Sequence, residues 1–217
     1  NTNYTKESKE VIDAKDKLNS MIDLTITYDV GDEKEIVDGS IISNWLNVGE
    51  DFEINFDKEK IKEYVYKLAS KYNTFGGNRD FLTTDGDKIK VSGGNYGWII
   101  DQPKEVDQLV KDLKENKSIE REPIYSQTAV SRAKNDIGDT YVEINMTKQH
   151  MWFYKNGNLI TEGDVVTGNA SNNWSTPVGT YRLNYRERNA TLVGENYSSP
   201  VNFWMPFNNN IAVSYTH

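Results

Sequence analysis

Two histidines, His150 and His217, are the whole imidazole supply of this 217-residue chain, and it contains no cysteine. Disulfides, thiolate metal sites and cysteine nucleophiles are therefore excluded within these residues. Two histidines far apart in sequence also exclude a histidine-rich metal site. No G-x-S-x-G turn marks a serine hydrolase. Among 33 acidic residues, chance explains any one pair of carboxylates, so a glycosidase has no supporting motif. His150 stands where a strand begins and reads as structural or exposed. The aromatic run Met151, Trp152, Phe153 and Tyr154 reads as core and strand surface. "RER" (186–188) reads as a solvated strand end, and "NASNNWSTPVGTY" (169–181) as a turn-rich loop entering a strand.

The elements that would position such residues change character along the chain. Residues 3–22 read as a polar helix with a thin stripe at Val11, Ile12, Leu18 and Ile22. "LTITYDV" (24–30) alternates and reads as a strand. "SIISNWL" (40–46) reads as a short helix capped by Ser40. "DKEKIKEYVYKLASKYN" (57–73) carries the clearest helical period, at Ile61, Tyr64, Val65, Leu68, Ala69 and Tyr72, with Asp57 as N-cap. Residues 75–94 read as two strands around an Asp85-Gly86 turn. Residues 103–116 form a second amphipathic helix opened by Pro103, and 118–126 a strand. Beyond about residue 130 only strands appear, at 141–146, 150–157, 159–168, 179–188 and 200–207, and no helical period.

The pattern predicts an α+β N-terminal domain followed by an incomplete all-β domain. Residues 1–17 are a helical lead-in, 18–127 the α+β domain, 128–139 a linker and 140–211 the β-rich part. The last apolar strand, at 200–211, is expected to leave an exposed edge.

Composition narrows the partners. The formal net charge is −8, and no Lys/Arg cluster outweighs its acidic neighbours, which argues against nucleic acid. No apolar run approaches the roughly 18 residues of a membrane span. The chain begins with Asn and shows no signal peptide, so it is expected to be a trimmed piece whose only membrane tie is a missing N-terminal anchor.

One resemblance organises the second half. "YVEINMTKQHMWFYKNGNLITEGDVVTGNASNNWSTPVGTYRL" (141–183) resembles the opening of an L,D-transpeptidase catalytic domain. Its marks are Val165-Val166-Thr167-Gly168 followed by Thr176-Pro177-Val178-Gly179-Thr180-Tyr181. "ERNATLVGENYSSPVNFWMPFNNNI" (187–211) is similar to the branch with a W-M-P-F strand. Upstream, "DGSIISNWL", "LASKYNTFG", "VSGGNYGW" and "REPIYSQTA" resemble the peptidoglycan-binding module preceding that domain in Gram-positive cell-wall enzymes.

The resemblance implies a β-sandwich and a Cys acyl-enzyme that joins peptidoglycan stem peptides by 3→3 cross-links, with no cofactor and no metal. It implies carbapenem β-lactams as inhibitors of the intact enzyme, and a place outside the cytoplasmic membrane at the cell wall. It puts Ser175, Thr176, Pro177 and Gly179, together with Trp204, Met205, Pro206, Phe207 and Asn208, near the substrate groove. The family's Cys and His lie in an S-H-G-C loop downstream of W-M-P-F, and no such loop stands in this sequence. The fragment is therefore expected to be inactive.

Aligned on Ile211, the family's Gly falls at Ala212 and its His at Ser214, so His217 takes no catalytic role. Val213–His217 also matches one reading frame of a transposon mosaic-end sequencing adaptor, and residues 212–217 are expected to be a non-native tail. The rival reading is a cell-wall binding protein without catalysis.

Overall fold

The computed structural model describes residues 5–133, 135–194 and 197–215. The first residues of the expected lead-in helix, and His217, lie outside them. The chain divides into two compact units: residues 1–73, 98–128 and 132–134 in the first, and 74–97, 129–131 and 135–217 in the second. Residues 74–97, expected with the α+β part, thus cluster with the β-rich part.

In the first unit, α1 (Lys9–Ile22) buries only Met21, so its expected stripe meets no core. Strands β1 (Ile26–Asp29) and β2 (Lys34–Val37) pair antiparallel. The short helix α2 (Gly39–Ile42) is capped by Asp38 rather than by Ser40: the Asp38 carboxylate accepts from the Ser40 amide at 2.9 Å, so the helix begins two residues earlier than a Ser40 cap would place it. A hairpin that no periodicity announced, β3 (Leu46–Val48) and β4 (Ile54–Phe56), follows.

Helix α3 (Lys58–Tyr72) matches the sequence expectation. Asp57 accepts from the Glu59 and Lys60 amides, and Ile61, Val65, Leu68, Ala69 and Tyr72 are buried. Strands β5 (Arg79–Leu82) and β6 (Lys88–Val91) belong to the second unit, whereas β7 (Ile99–Ile100) and α4 (Gln102–Glu115) return to the first.

The expected strand at 118–126 is two strands. β8 (Ile119–Arg121) runs parallel to β1, and β9 (Tyr125–Gln127) runs antiparallel to β7. Pro123 brings no N–H to a ladder, and the next amide, Ile124, donates to Glu105 instead, at 2.6 Å.

The core of this unit joins β1, α3 and α4 through Ile26, Tyr28, Val65 and Leu109. Each such side chain contributes roughly 1.5–3 kcal/mol by leaving water. A polar cluster sits within it. Glu105 is fully buried and accepts from the Tyr28 hydroxyl at 2.7 Å and from Arg121 at 2.6 Å. Arg121 also donates to buried Asp112 at 2.8 Å. Burial, then the Glu105 carboxylate, push the Tyr28 phenol well above its usual pKa.

In the second unit, β10 (Tyr141–Asn145), β11 (His150–Lys155) and β12 (Asn158–Asp164) form one antiparallel sheet in that order. The β5–β6 hairpin lies against it. Phe81 meets Tyr141 edge-on, with ring centroids 5.6 Å apart, and Thr84 donates from its amide and hydroxyl to Glu143.

A second sheet holds β13 (Glu187–Gly194), β14 (Tyr197–Asn208) and β15 (Ile211–Tyr215). The apolar run at 200–211 lies mostly in β14, the middle strand of this sheet: β13 pairs with it from Tyr197 to Trp204 and β15 from Phe203 to Asn208, so only Phe203 and Trp204 have ladder partners on both sides and the expected edge is covered in part. The expected strand at 179–188 is likewise mostly irregular, because its amides bond to Asn95 and to Pro206 instead of a ladder.

Among the described residues, the buried apolar side chains of this unit are only Tyr96, Trp152, Ala190, Val201 and Pro206. A core this sparse leaves much of the unit's cohesion to polar contacts.

Candidate functional site

The loop carrying Thr176-Pro177-Val178-Gly179 is held at both ends. At its entry, Val165–Gly168 leaves the β12 ladder and is caught by Gln149. The Gln149 side chain accepts from the Thr167 amide at 2.8 Å and donates to its hydroxyl at 2.7 Å. Thr176 Oγ1 then accepts from the Gly168 amide at 2.9 Å, closing the loop on itself. Gly168 is required there, since a Cβ would lie 1.8 Å from the Trp174 carbonyl oxygen. Ser175 is exposed and Pro177 half-buried in the closed loop.

At its exit the loop lies on the segment Gly93–Tyr96. The Thr180 amide donates to the Gly93 carbonyl at 3.1 Å, and the Thr180 carbonyl accepts from the Asn95 and Tyr96 amides at 3.1 and 3.2 Å. The two backbones approach too closely for side chains. A Cβ on Gly94 would stand 2.0 Å from the Thr180 oxygen, and one on Gly179 would stand 2.7 Å from the Gly94 nitrogen. Both glycines also have positive φ, +91° and +144°.

Asn95 connects this loop to the W-M-P-F strand. Its Oδ1 accepts from the Arg182 amide at 3.1 Å, and its Nδ2 donates to the Phe207 carbonyl at 3.1 Å. Beside it the Asn184 amide donates to the Pro206 carbonyl at 2.8 Å, and the Tyr181 ring meets the Phe207 ring at 5.2 Å. Gly179, Pro206 and Phe207 are thus drawn together through residues 180–184.

The remaining candidates are placed differently. Trp204 sits opposite Glu187 in the register, and Asn208 opposite Ile211 at the turn into β15. Pro206 occupies a ladder position with no N–H to give, next to a register shift. Met205 faces a cleft of about 450 Å³ with Arg186, Glu187, Arg188 and Phe203.

The segment bearing Gly93–Asn95 is fixed by a buried ion pair. Arg79 Nε donates to Asp136 Oδ1 at 2.7 Å and Nη2 to Oδ2 at 2.8 Å, with both side chains 7% exposed. Further Arg79 donors reach the Thr74, Gly77 and Tyr96 carbonyls, and the Thr74 hydroxyl donates to Asp136 at 2.8 Å. The Tyr96 hydroxyl donates to the Asp136 carbonyl and accepts from the Val130 amide, and burial is the first of the influences that push its pKa up. Asp136 lies in the polar stretch read from sequence as a linker.

His150 Nδ1 is 2.7 Å from Asp164 Oδ1, and its ring lies 4.7 Å from that of Trp152, as suits a side chain held in the sheet. No group of three or more His, Asp or Glu among the described residues could hold a metal ion.

Asn95 is not among the groove candidates that the sequence offers, because its motif, "VSGGNYGW", resembles the upstream module as a whole. The two adjacent glycines before an amide side chain were the available signal of a close backbone approach.

Residues 4–120 match the family model described as "Putative peptidoglycan binding domain", and residues 139–214 match the L,D-transpeptidase catalytic domain. No curated protein sequence matches the chain. Among solved structures, the Ldtfm–avibactam carbamoyl enzyme is 31% identical with a TM-score of 0.76, over 94% of this chain and 81% of that one. A cysteine-to-serine mutant of the Enterococcus faecium L,D-transpeptidase is 31% identical with a TM-score of 0.75, over 93% and 82%. The chain belongs to the L,D-transpeptidase family, with a peptidoglycan-binding region preceding its catalytic-domain region.

Proposed function

We propose that this chain is part of a peptidoglycan L,D-transpeptidase that forms 3→3 cross-links at the cell wall of a Gram-positive bacterium. In the whole protein a Cys thiolate, activated by His in a loop following Trp204–Asn208, attacks the carbonyl after the third residue of a donor stem. The terminal D-alanine leaves with a proton, and a thioester forms. The side-chain amine of an acceptor stem then displaces the thiolate, giving the cross-link. The observation that supports this reading is the union of Gly179 with Pro206 and Phe207 through Thr180, Asn184 and Asn95, which gives the two motifs one hydrogen-bonded frame. The family matches and the shared architecture support it.

These 217 residues alone contain no cysteine and are catalytically silent in this reading. An N-terminal segment outside them anchors the protein to the membrane. β-Lactams acylate the thiolate in this reading, and the carbamoyl enzyme that one neighbour forms with avibactam, an inhibitor that carries a cyclic urea instead of a β-lactam, supports an acylable nucleophile. The test is intact mass after incubation with a carbapenem, on this chain and on a product extended through the genomic reading frame. One adduct on the extended protein and none on this chain is expected. An extended frame that encodes no cysteine, or that encodes one which takes no adduct, would refute the catalytic reading. That negative result would leave the second reading, a wall-binding protein without chemistry.

A further inference from the structure

The cleft bordered by Arg186, Arg188, Phe203 and Met205 has chemistry of its own. The Arg188 guanidinium lies over the Phe203 ring, 5.4 Å from its centroid. Stacking engages the face of a guanidinium and leaves its in-plane N–H donors directed outward, where they can fork onto a carboxylate. Neither Arg186 nor Arg188 forms an ion pair among the described residues, although the chain carries a net charge of −8. Arg188 stands opposite Phe203 in the β13–β14 register, and Met205 follows two positions along the same face. Glu187 also borders the cleft, so its fixed charge is one net positive. The forked donors of Arg188 above the ring, with a second exposed cation, Arg186, on the same cleft and the Met205 thioether in its lining, suit an anion attached to a small aliphatic group.

We infer that this cleft is a binding subsite for the C-terminal carboxylate of a peptide ending in a small residue, with Arg186 and Arg188 as the anion clamp and Phe203 and Met205 as the floor. The choice of a peptide carboxylate rests on the transpeptidase reading; the anion clamp rests on the cleft itself.

The experiment uses the 217-residue chain. N-acetyl-L-lysyl-D-alanine and its C-terminal amide are titrated and followed by amide and arginine Nε–H chemical shifts. Charge-assisted, forked hydrogen bonds are about twice as strong as neutral ones, so the acid should bind roughly tenfold more tightly than the amide. Arg186→Gln with Arg188→Gln should abolish that preference, and Glu187→Gln should tighten acid binding about two- to threefold. Equal binding of acid and amide, or no binding of either, would overturn the subsite without need of any variant. Acetate competing as well as the dipeptide would overturn the peptide assignment. Carbapenem acylation of the cysteine-bearing protein judges the transpeptidase reading separately, so either idea can fail while the other stands.

Discussion

Replacing Asp136 by alanine strands the Arg79 guanidinium in a site where it is 7% exposed. Removing one partner of a buried ion pair costs about 3–5 kcal/mol, because the remaining charge has neither water nor counter-ion. Two features place this case in that range. The lost contact is bidentate, and the Thr74 hydroxyl loses the same acceptor. The sparse apolar core of the second unit offers little reserve against a domain stability of about 5–15 kcal/mol. A partner test separates charge from packing: Arg79→Met with Asp136→Leu should cost less than either single substitution, since no charge is left unpaired. The assay is urea unfolding combined with amide hydrogen exchange resolved by peptide. In Asp136→Ala, protection should fall at Arg79–Leu82 and Gly93–Tyr96 and stay unchanged at Ile26–Asp29. Single substitutions that each cost under about 1 kcal/mol, or a double substitution costing their sum, would refute the account of a dry, coupled pair.

Other expectations are more local. Gly94→Ala should destabilise the second unit by about 1–3 kcal/mol or more, from its left-handed φ and a Cβ 2.0 Å from the Thr180 oxygen; a thermal melt checks this, and an unchanged Tm would contradict it. Asn95→Ala removes an acceptor from the Arg182 amide and a donor from the Phe207 carbonyl, a loss of about 1–3 kcal/mol, read most directly as faster exchange of the Arg182 amide. Partial burial raises the Glu35 pKa, but hydrogen bonds from Lys71 and Tyr72 outweigh it and hold it below 4.5. A carboxylate depressed in the folded state stabilises above its unfolded pKa, and that share is lost as pH falls through the folded value. Unfolding free energy measured from pH 6 down to pH 2 should therefore decline below about pH 4.5, and Glu35→Gln should flatten that limb.

The helices were legible because their signals are local. Asp57 and Pro103 mark starts, and the spacing of Ile61, Val65 and Leu68 fixes a face. One departure is local: Asp38 takes the cap from Ser40, a two-residue shift that composition cannot rank. In the others the deciding partner is distant. Strand 118–126 broke at Pro123, a residue legible in advance, but its rescue by Glu105 was not. Nothing in the helical pattern of α4 marks Glu105 or Asp112 as buried, and only the fold brings Arg121 to them. Of the candidate site, the order of the motifs was readable, whereas the clamp through Asn95 joins residues that stand 112 positions apart.

The seating of Gly179–Tyr181 on Gly93–Tyr96 bears on how such proteins diversify. The shelf under the loop is encoded upstream of residue 120, within the stretch that matches the peptidoglycan-binding family, while the loop is encoded downstream of residue 139. A single crossover between relatives at residues 128–139 would therefore pair one parent's loop with the other parent's shelf. Chimeras that carry residues 74–97 along with the downstream half would keep shelf and loop together. Inheritance in this lineage should favour the linked exchange, and recombination breakpoints should be depleted between residues 74 and 180.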